Sequence, residues 1–193
     1  MSDPSHIARA ILLYTLAGLF LSSLDATAKI LVRDYPVWWV VWARYAGHVL
    51  VVLPLAWSKA GSGFWRTGQP LLQLGRSTLL LVATIAFFSG LRYLPLAEAS
   101  AISFLAPMLV VLLAGPLLGE VVPRARWAAV GVGFAGVLLV TRPGSAAFHP
   151  AALAMFAMAL FNALYQLLTR KLRGDSAYTT LFYSGIVGTV AFT

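Results

Sequence analysis

The chain has 193 residues, 60% of them hydrophobic and 10% charged, where a soluble domain carries about 25% charged residues. That composition excludes a cytosolic enzyme, a disordered tail and a secreted disulfide scaffold, and the absence of cysteine removes thiolate metal sites and Cys nucleophiles. The net charge of +8 sits between apolar segments, not in a polar patch interleaved with aromatics, so it points to the loops of a polytopic membrane protein and away from nucleic acid.

A membrane-spanning helix needs about 20 apolar residues, and the sequence predicts six such spans and part of a seventh. The first covers Ile7–Leu31 and the second Pro36–Trp57. A polar stretch, Ser58–Arg76, precedes the third span, Ser77–Leu94. Pro95 separates that from the fourth, Leu96–Leu118, and the fifth covers Ala125–Thr141. Arg142-Pro143-Gly144 breaks the helix, the sixth span is Ala151–Leu172, and the seventh begins near Tyr178. It reaches Thr193 with about 16 residues, too few to cross about 30 Å of hydrocarbon, so further chain is expected to follow.

Basic residues orient these spans. With a cytoplasmic N-terminus, nine of them fall inside (Arg9, Lys59, Arg66, Arg76, Arg124, Arg126, Arg170, Lys171, Arg173) and four outside (Lys29, Arg33, Arg92, Arg142), which favours that topology. Arg9, an apolar run and Ala26-Thr27-Ala28 mimic a signal peptide, but the run is long, carries Asp25 and Lys29 on one face, and opens a series of similar spans.

A shift of 141 residues lays the sixth span on the first, carrying Lys29 onto Arg170 and Asp34 onto Asp175. Five spans intervene, so the second copy enters the membrane from the opposite side. That is an inverted-topology repeat, an architecture of secondary transporters.

Leu24-Asp25-Ala26-Thr27-Ala28-Lys29, Asp34-Tyr35-Pro36 and Trp42-Ala43-Arg44-Tyr45 mark the first two spans. The third and fourth carry Leu91-Arg92-Tyr93-Leu94-Pro95-Leu96-Ala97-Glu98-Ala99-Ser100-Ala101, Pro107 and Leu118-Gly119-Glu120. The fifth carries Arg126-Trp127, Gly131-Val132-Gly133-Phe134-Ala135-Gly136-Val137 and Arg142-Pro143-Gly144. Taken together these motifs resemble the EamA-type members of the drug/metabolite transporter superfamily over residues 7–144. The resemblance implies an all-α fold of two five-helix units and a secondary carrier of small metabolites. This chain then holds one unit, 7–144, and the start of a second, 150–193.

Charge at membrane depth is the strongest functional signal in the residues themselves. Arg44 lies about 12 Å below the outer end of its span and Asp25 about 9 Å below that of its own, and an Arg at such depth costs about 2.5–3.5 kcal/mol on insertion scales. An Asp25–Arg44 pair lining a central cavity is therefore expected, with Lys29, one turn from Asp25, competing for it. Such a pair either holds substrate or locks helix packing. His48 shares the Arg44 face and either titrates in a proton-coupled step or is a neutral ring bonded to another helix. Glu98 either complements the helix dipole behind Pro95 or pairs with Arg92 as a gate. Glu120, with Arg124 and Arg126, reads as a loop anchor.

Tyr35, Trp38 and Trp39 suit an interfacial belt. Tyr45 is the better candidate for a cavity wall, and Trp42 for lipid or another helix. Under the repeat, Gln166 falls on Asp25, while Gly185 and Thr189 fall on Arg44 and His48. Asn162 and Gln166 thus form a neutral polar half of the site or bond neighbouring helices. Ala129, Gly133 and Gly136 make a packing stripe. Pro54, Pro107 and Gly115-Pro116 are kinks or hinges.

The expected function is secondary active transport by alternating access. The alternatives are a passive channel, an assembly protein, or a membrane-embedded enzyme for which only Asp25, His48 and Ser22 offer chemistry. The expected partners are a small-molecule metabolite and the lipid bilayer, with a homodimer as the open assembly and no nucleic acid. No metal or cofactor is expected, since His6 and His149 lie in terminal or loop regions.

Overall fold

The computed structural model describes residues 4–142, 149–172 and 174–193. The expected break at Pro143-Gly144, and Arg173, lie outside the described residues. The described chain is all helical: α1 (Pro4–Asp34), α2 (Val37–Ala60), a 3-10 turn (Gly61–Gly63), α3 (Pro70–Tyr93), α4 (Leu96–Ser103), α5 (Leu105–Leu118), α6 (Arg124–Thr141), α7 (Ala152–Lys171) and α8 (Ala177–Val190). Among the described residues six spans are long and apolar enough to cross a membrane, α4 and α5 counting as one. The protein is a polytopic helical membrane protein.

Two helices differ from the sequence expectation for local reasons. The third starts at Pro70, not Ser77, because Pro suits the first helical position. Gln73 and Arg76, read as loop residues, sit inside this helix with 0% and 1% of their surface exposed. The fourth span is interrupted at Phe104. Pro107 has no N–H to offer the carbonyl of Ser103 and its ring crowds that carbonyl, so α4 ends where Pro107 dictates. Pro54 and Pro116, in contrast, lie within continuous helices. At the end of α5, Gly119 adopts φ +71°, and its N–H bonds Gly115 O at 2.8 Å while that of Glu120 bonds Ala114 O at 3.3 Å, a left-handed stop suited to glycine.

The bundle is organised around α3 and α7. Ala152, Met155, Ala159 and Ala163 recur every three or four residues on the buried face of α7, and small residues there let backbones approach closely. Gly90 of α3 lies directly under Met155, where a Cβ would stand 2.4 Å from its sulfur. α8 packs on α2 and α3. Residues 6–24 of α1 are exposed, and the helix joins the core through Ala28 and Val32. In the expected stripe of α6, Gly133 meets Met108 of α5, whereas Gly136 faces open space.

Candidate functional site

Two adjoining cavities open beside α1, α2 and α3. The larger, 760 Å³, is walled mainly by apolar side chains of α1 and α2, with Arg44, Tyr45 and His48 on one side and Leu80, Phe88 and Ser184 opposite. The smaller, 240 Å³, is more polar and brings Asp25, Arg44, Thr84, Ser103 and Asn162 together from five helices. Leu21, Arg44 and Leu80 border both.

The half-buried Arg44 guanidinium lies 5.6 Å from the centroid of the Phe88 ring, a cation–π geometry. The expected direct pair is corrected here. Among the described residues no carboxylate oxygen lies within 4.0 Å of Arg44. Asp25 and Arg44 face one cavity from two helices without closing on each other, because the guanidinium rests on Phe88. Lys29 is no competitor for Asp25 either. Its Nζ donates to Leu91 O at 2.5 Å and Leu94 O at 2.6 Å, where the last carbonyls of α3 have no helical partner and favour a cation.

Tyr45 is 4% exposed and its hydroxyl donates to Thr84 Oγ1 at 3.0 Å; Thr84 in turn donates to Leu80 O at 2.8 Å. The ring is wedged against Gly188 of α8, where a Cβ would stand 2.2 Å from it. His48 Nε2 donates to Leu181 O of α8 at 3.0 Å, a bond between helices. Gln166 Nε2 donates to Asn162 Oδ1 at 2.9 Å, so these two amides bond each other within α7 and only Asn162 reaches the cavity. Trp42 stands edge-on to Trp39, with centroids 5.8 Å apart.

Glu98 sits in the first turn of α4 and, among the described residues, forms no ion pair with Arg92 within 4.0 Å. Glu120 pairs with Arg170 of α7 at 3.3 Å, correcting the expected partners Arg124 and Arg126. His149 accepts from the backbone N–H of Ala151 at 3.0 Å and stacks on Tyr93. No cluster of metal-ligating side chains occurs among the described residues.

The sequence pattern of the EamA-like transporter family matches residues 8–142. The chain belongs to that family. It is 30% identical to a riboflavin transporter of Rhizobium johnstonii over 89% of its own length and 57% of the relative's. It is 28% identical to an S-adenosylmethionine uptake transporter of Rickettsia prowazekii, over 89% and 59% of the two chains. Identity to the pseudopaline exporter of Pseudomonas aeruginosa is 29%, over 93% and 63%. The chain thus spans about three-fifths of the length of these curated relatives. No solved structure matches it. These relatives are named small-molecule transporters, and none is named as an enzyme.

Sequence reasoning missed the Arg76 cluster in this EamA-like chain. Arg76 donates to Thr180 O at 2.7 Å, to Ser184 Oγ, to Thr169 Oγ1 at 3.4 Å and to Tyr165 Oη at 3.5 Å, and its guanidinium lies 5.0 Å from the Tyr165 centroid. The signal that could have found it was Pro70, a helix-start residue. A helix begun there carries Gln73, Arg76 and Leu80 along one face at spacings of three and four.

Proposed function

We propose that this chain forms the cavity-bearing part of a secondary active transporter of small metabolites, with substrate held among Asp25, Arg44, Tyr45, His48 and Asn162. Residues 7–144 form the first repeat and 150–193 belong to its inverted partner. Rocking of one against the other gives alternating access. The observation that carries the reading is the pair of opposite charges facing one cavity without bonding each other. Ionisable groups at membrane depth that are not spent on each other are available to a ligand. Arg44 receives an anionic group such as a carboxylate, and Asp25 is the acid available for proton coupling. Lys29, Gln166 and Glu98 support the surrounding helices. The N-terminus is cytoplasmic and the membrane is the bacterial inner membrane.

The test is uptake by the full-length protein in proteoliposomes, with riboflavin, S-adenosylmethionine and carboxylate-bearing metabolites as probes. Arg44→Ala is expected to abolish uptake while inserting normally, and parental uptake by a well-inserted variant overturns the site. An imposed proton gradient is expected to drive accumulation, and Asp25→Asn to remove that dependence. Accumulation indifferent to the gradient rejects proton coupling.

A further inference from the structure

The Arg76 guanidinium lines neither cavity, and among the described residues its bonds run from α3 to α7 and α8. Its four acceptors are Tyr165 Oη, Thr169 Oγ1, Thr180 O and Ser184 Oγ, all neutral. One turn earlier, Gln73 donates to Asp175 Oδ2 at 2.7 Å and Thr180 Oγ1 at 3.4 Å, and Thr67 donates to the same Asp175 oxygen at 2.5 Å. Thr179 and Tyr183 donate to Phe64 O at 2.6 Å and Trp65 O at 3.2 Å. Side-chain hydrogen bonds therefore tie the α2–α3 connection and the first turns of α3 to α7 and α8. At its other end α3 meets α7 by packing, with Gly90 under Met155.

This tie touches the cavity wall. Ser184 accepts from Arg76 and also borders the 760 Å³ cavity. Leu80, one turn beyond Arg76, borders both cavities. A carboxylate partner would hold the guanidinium firmly, because separating a buried pair leaves charge uncompensated. Neutral acceptors do not cancel the cost of taking the charge out of water, and the buried Nε has no partner among the described residues. Bonds lost on separation are replaced by hydration of the freed guanidinium. Such a contact opens and closes at little net cost, and because Arg stays charged its strength does not follow pH.

We propose that Arg76 is the latch that closes the larger cavity, which Arg44 and Ser184 both border, toward the side of the membrane where the α2–α3 connection lies, releasing α8 when that side opens. The proposal rests on the transporter reading, and its experiment separates the two. The chain has no cysteine, and Gly47 borders the larger cavity with nothing within 4 Å of a Cβ built there. Gly47→Cys therefore serves as a reporter for a membrane-impermeant maleimide applied from either side of proteoliposomes holding the full-length protein, with any cysteine outside these 193 residues replaced by serine. Arg76→Gln is expected to raise labelling from the α2–α3 side about tenfold, with no rise from the other side. Ser184→Ala, which removes one acceptor, gives the same asymmetry with a rise of about threefold, so the test does not hang on the folding of the arginine variant. Labelling within about twofold of the parent from both sides in both variants overturns the latch, and so does an equal rise from both sides, which marks a loosened bundle. Uptake of the same metabolite probes is measured in these vesicles. Asymmetric labelling without uptake by the parent keeps the latch and fails the transport reading. Uptake with unchanged labelling fails the latch alone.

Discussion

Arg44 and Arg76 carry the same group within the same bundle, and their surroundings differ throughout. Arg44 is half-buried beside two cavities, rests on the Phe88 ring and has no carboxylate within 4.0 Å among the described residues. Arg76 is 1% exposed and bonds four groups on two other helices. A guanidinium left open to a cavity is free to meet a ligand. One that donates to four neutral acceptors on α7 and α8 ties α3 to them. Depth alone does not separate these roles; the partners do.

The largest effect expected from this contrast is on stability. Met fills much of the volume of an Arg stem and carries no charge, so Arg76→Met keeps packing and relieves desolvation, whereas Arg76→Ala leaves a hole. The two variants are expected to differ by about 2–5 kcal/mol in unfolding, the usual cost of truncating a buried Met. At Arg44, which opens onto existing cavities, the same two substitutions differ by less than about 1 kcal/mol. Thermal unfolding of the purified protein in detergent checks both. Equal gaps at the two positions would erase the distinction.

The Arg44 cavity was legible in the sequence and the Arg76 cluster was not, for a physical reason. Arg44 interrupts a long apolar run, so hydropathy alone places it at depth. Arg76 ends a stretch with Lys59, Arg66, Gln69 and Gln73, and a hydropathy reading assigns such a stretch to water. Its burial depends on acceptors from α7, α8 and the stretch between them, about a hundred residues away, as in Gln73–Asp175 and Arg76–Ser184. The helices themselves were visible as apolar runs. The break at Phe104 was signalled only by Pro107, since Pro54 and Pro116 produce no such break. Likewise Asp25 and Arg44 were placed at matching depth, but the ring on which the Arg44 guanidinium rests, Phe88, comes from another helix.

The wall shared by α2 and α8 sharpens the comparison at a smaller scale. Gly188 leaves no room for a Cβ, which would stand 2.2 Å from the Tyr45 ring, whereas Gly47 meets nothing within 4 Å. The ring is fixed by its bond to Thr84 and cannot swing away as Met155 or Met108 could beside Gly90 and Gly133. Gly188→Ala is expected to cost about 1–3 kcal/mol by overpacking. Gly47→Ala is expected to stabilise by up to about 1 kcal/mol through helix propensity. Opposite shifts in melting temperature test the pair. Destabilisation by both would mean that the cavity beside Gly47 is filled.

The smallest effect is expected where charges meet water. Glu120 and Arg170 pair at 3.3 Å, with side chains 41% and 46% exposed. The pair ties the stretch after α5 to the end of α7, yet both groups remain open to water, and the attraction competes with the entropy of holding two long side chains in register. Glu120→Gln is therefore expected to change stability by less than about 0.5 kcal/mol. That small change is expected to disappear at about 1 M salt, where screening acts within roughly 3 Å. A salt-resistant loss well above that size would show that Glu120 does more than its exposure allows. It would also move the comparison from two arginines to three, since Arg170 would then belong with Arg76 as a residue that holds α7 in place.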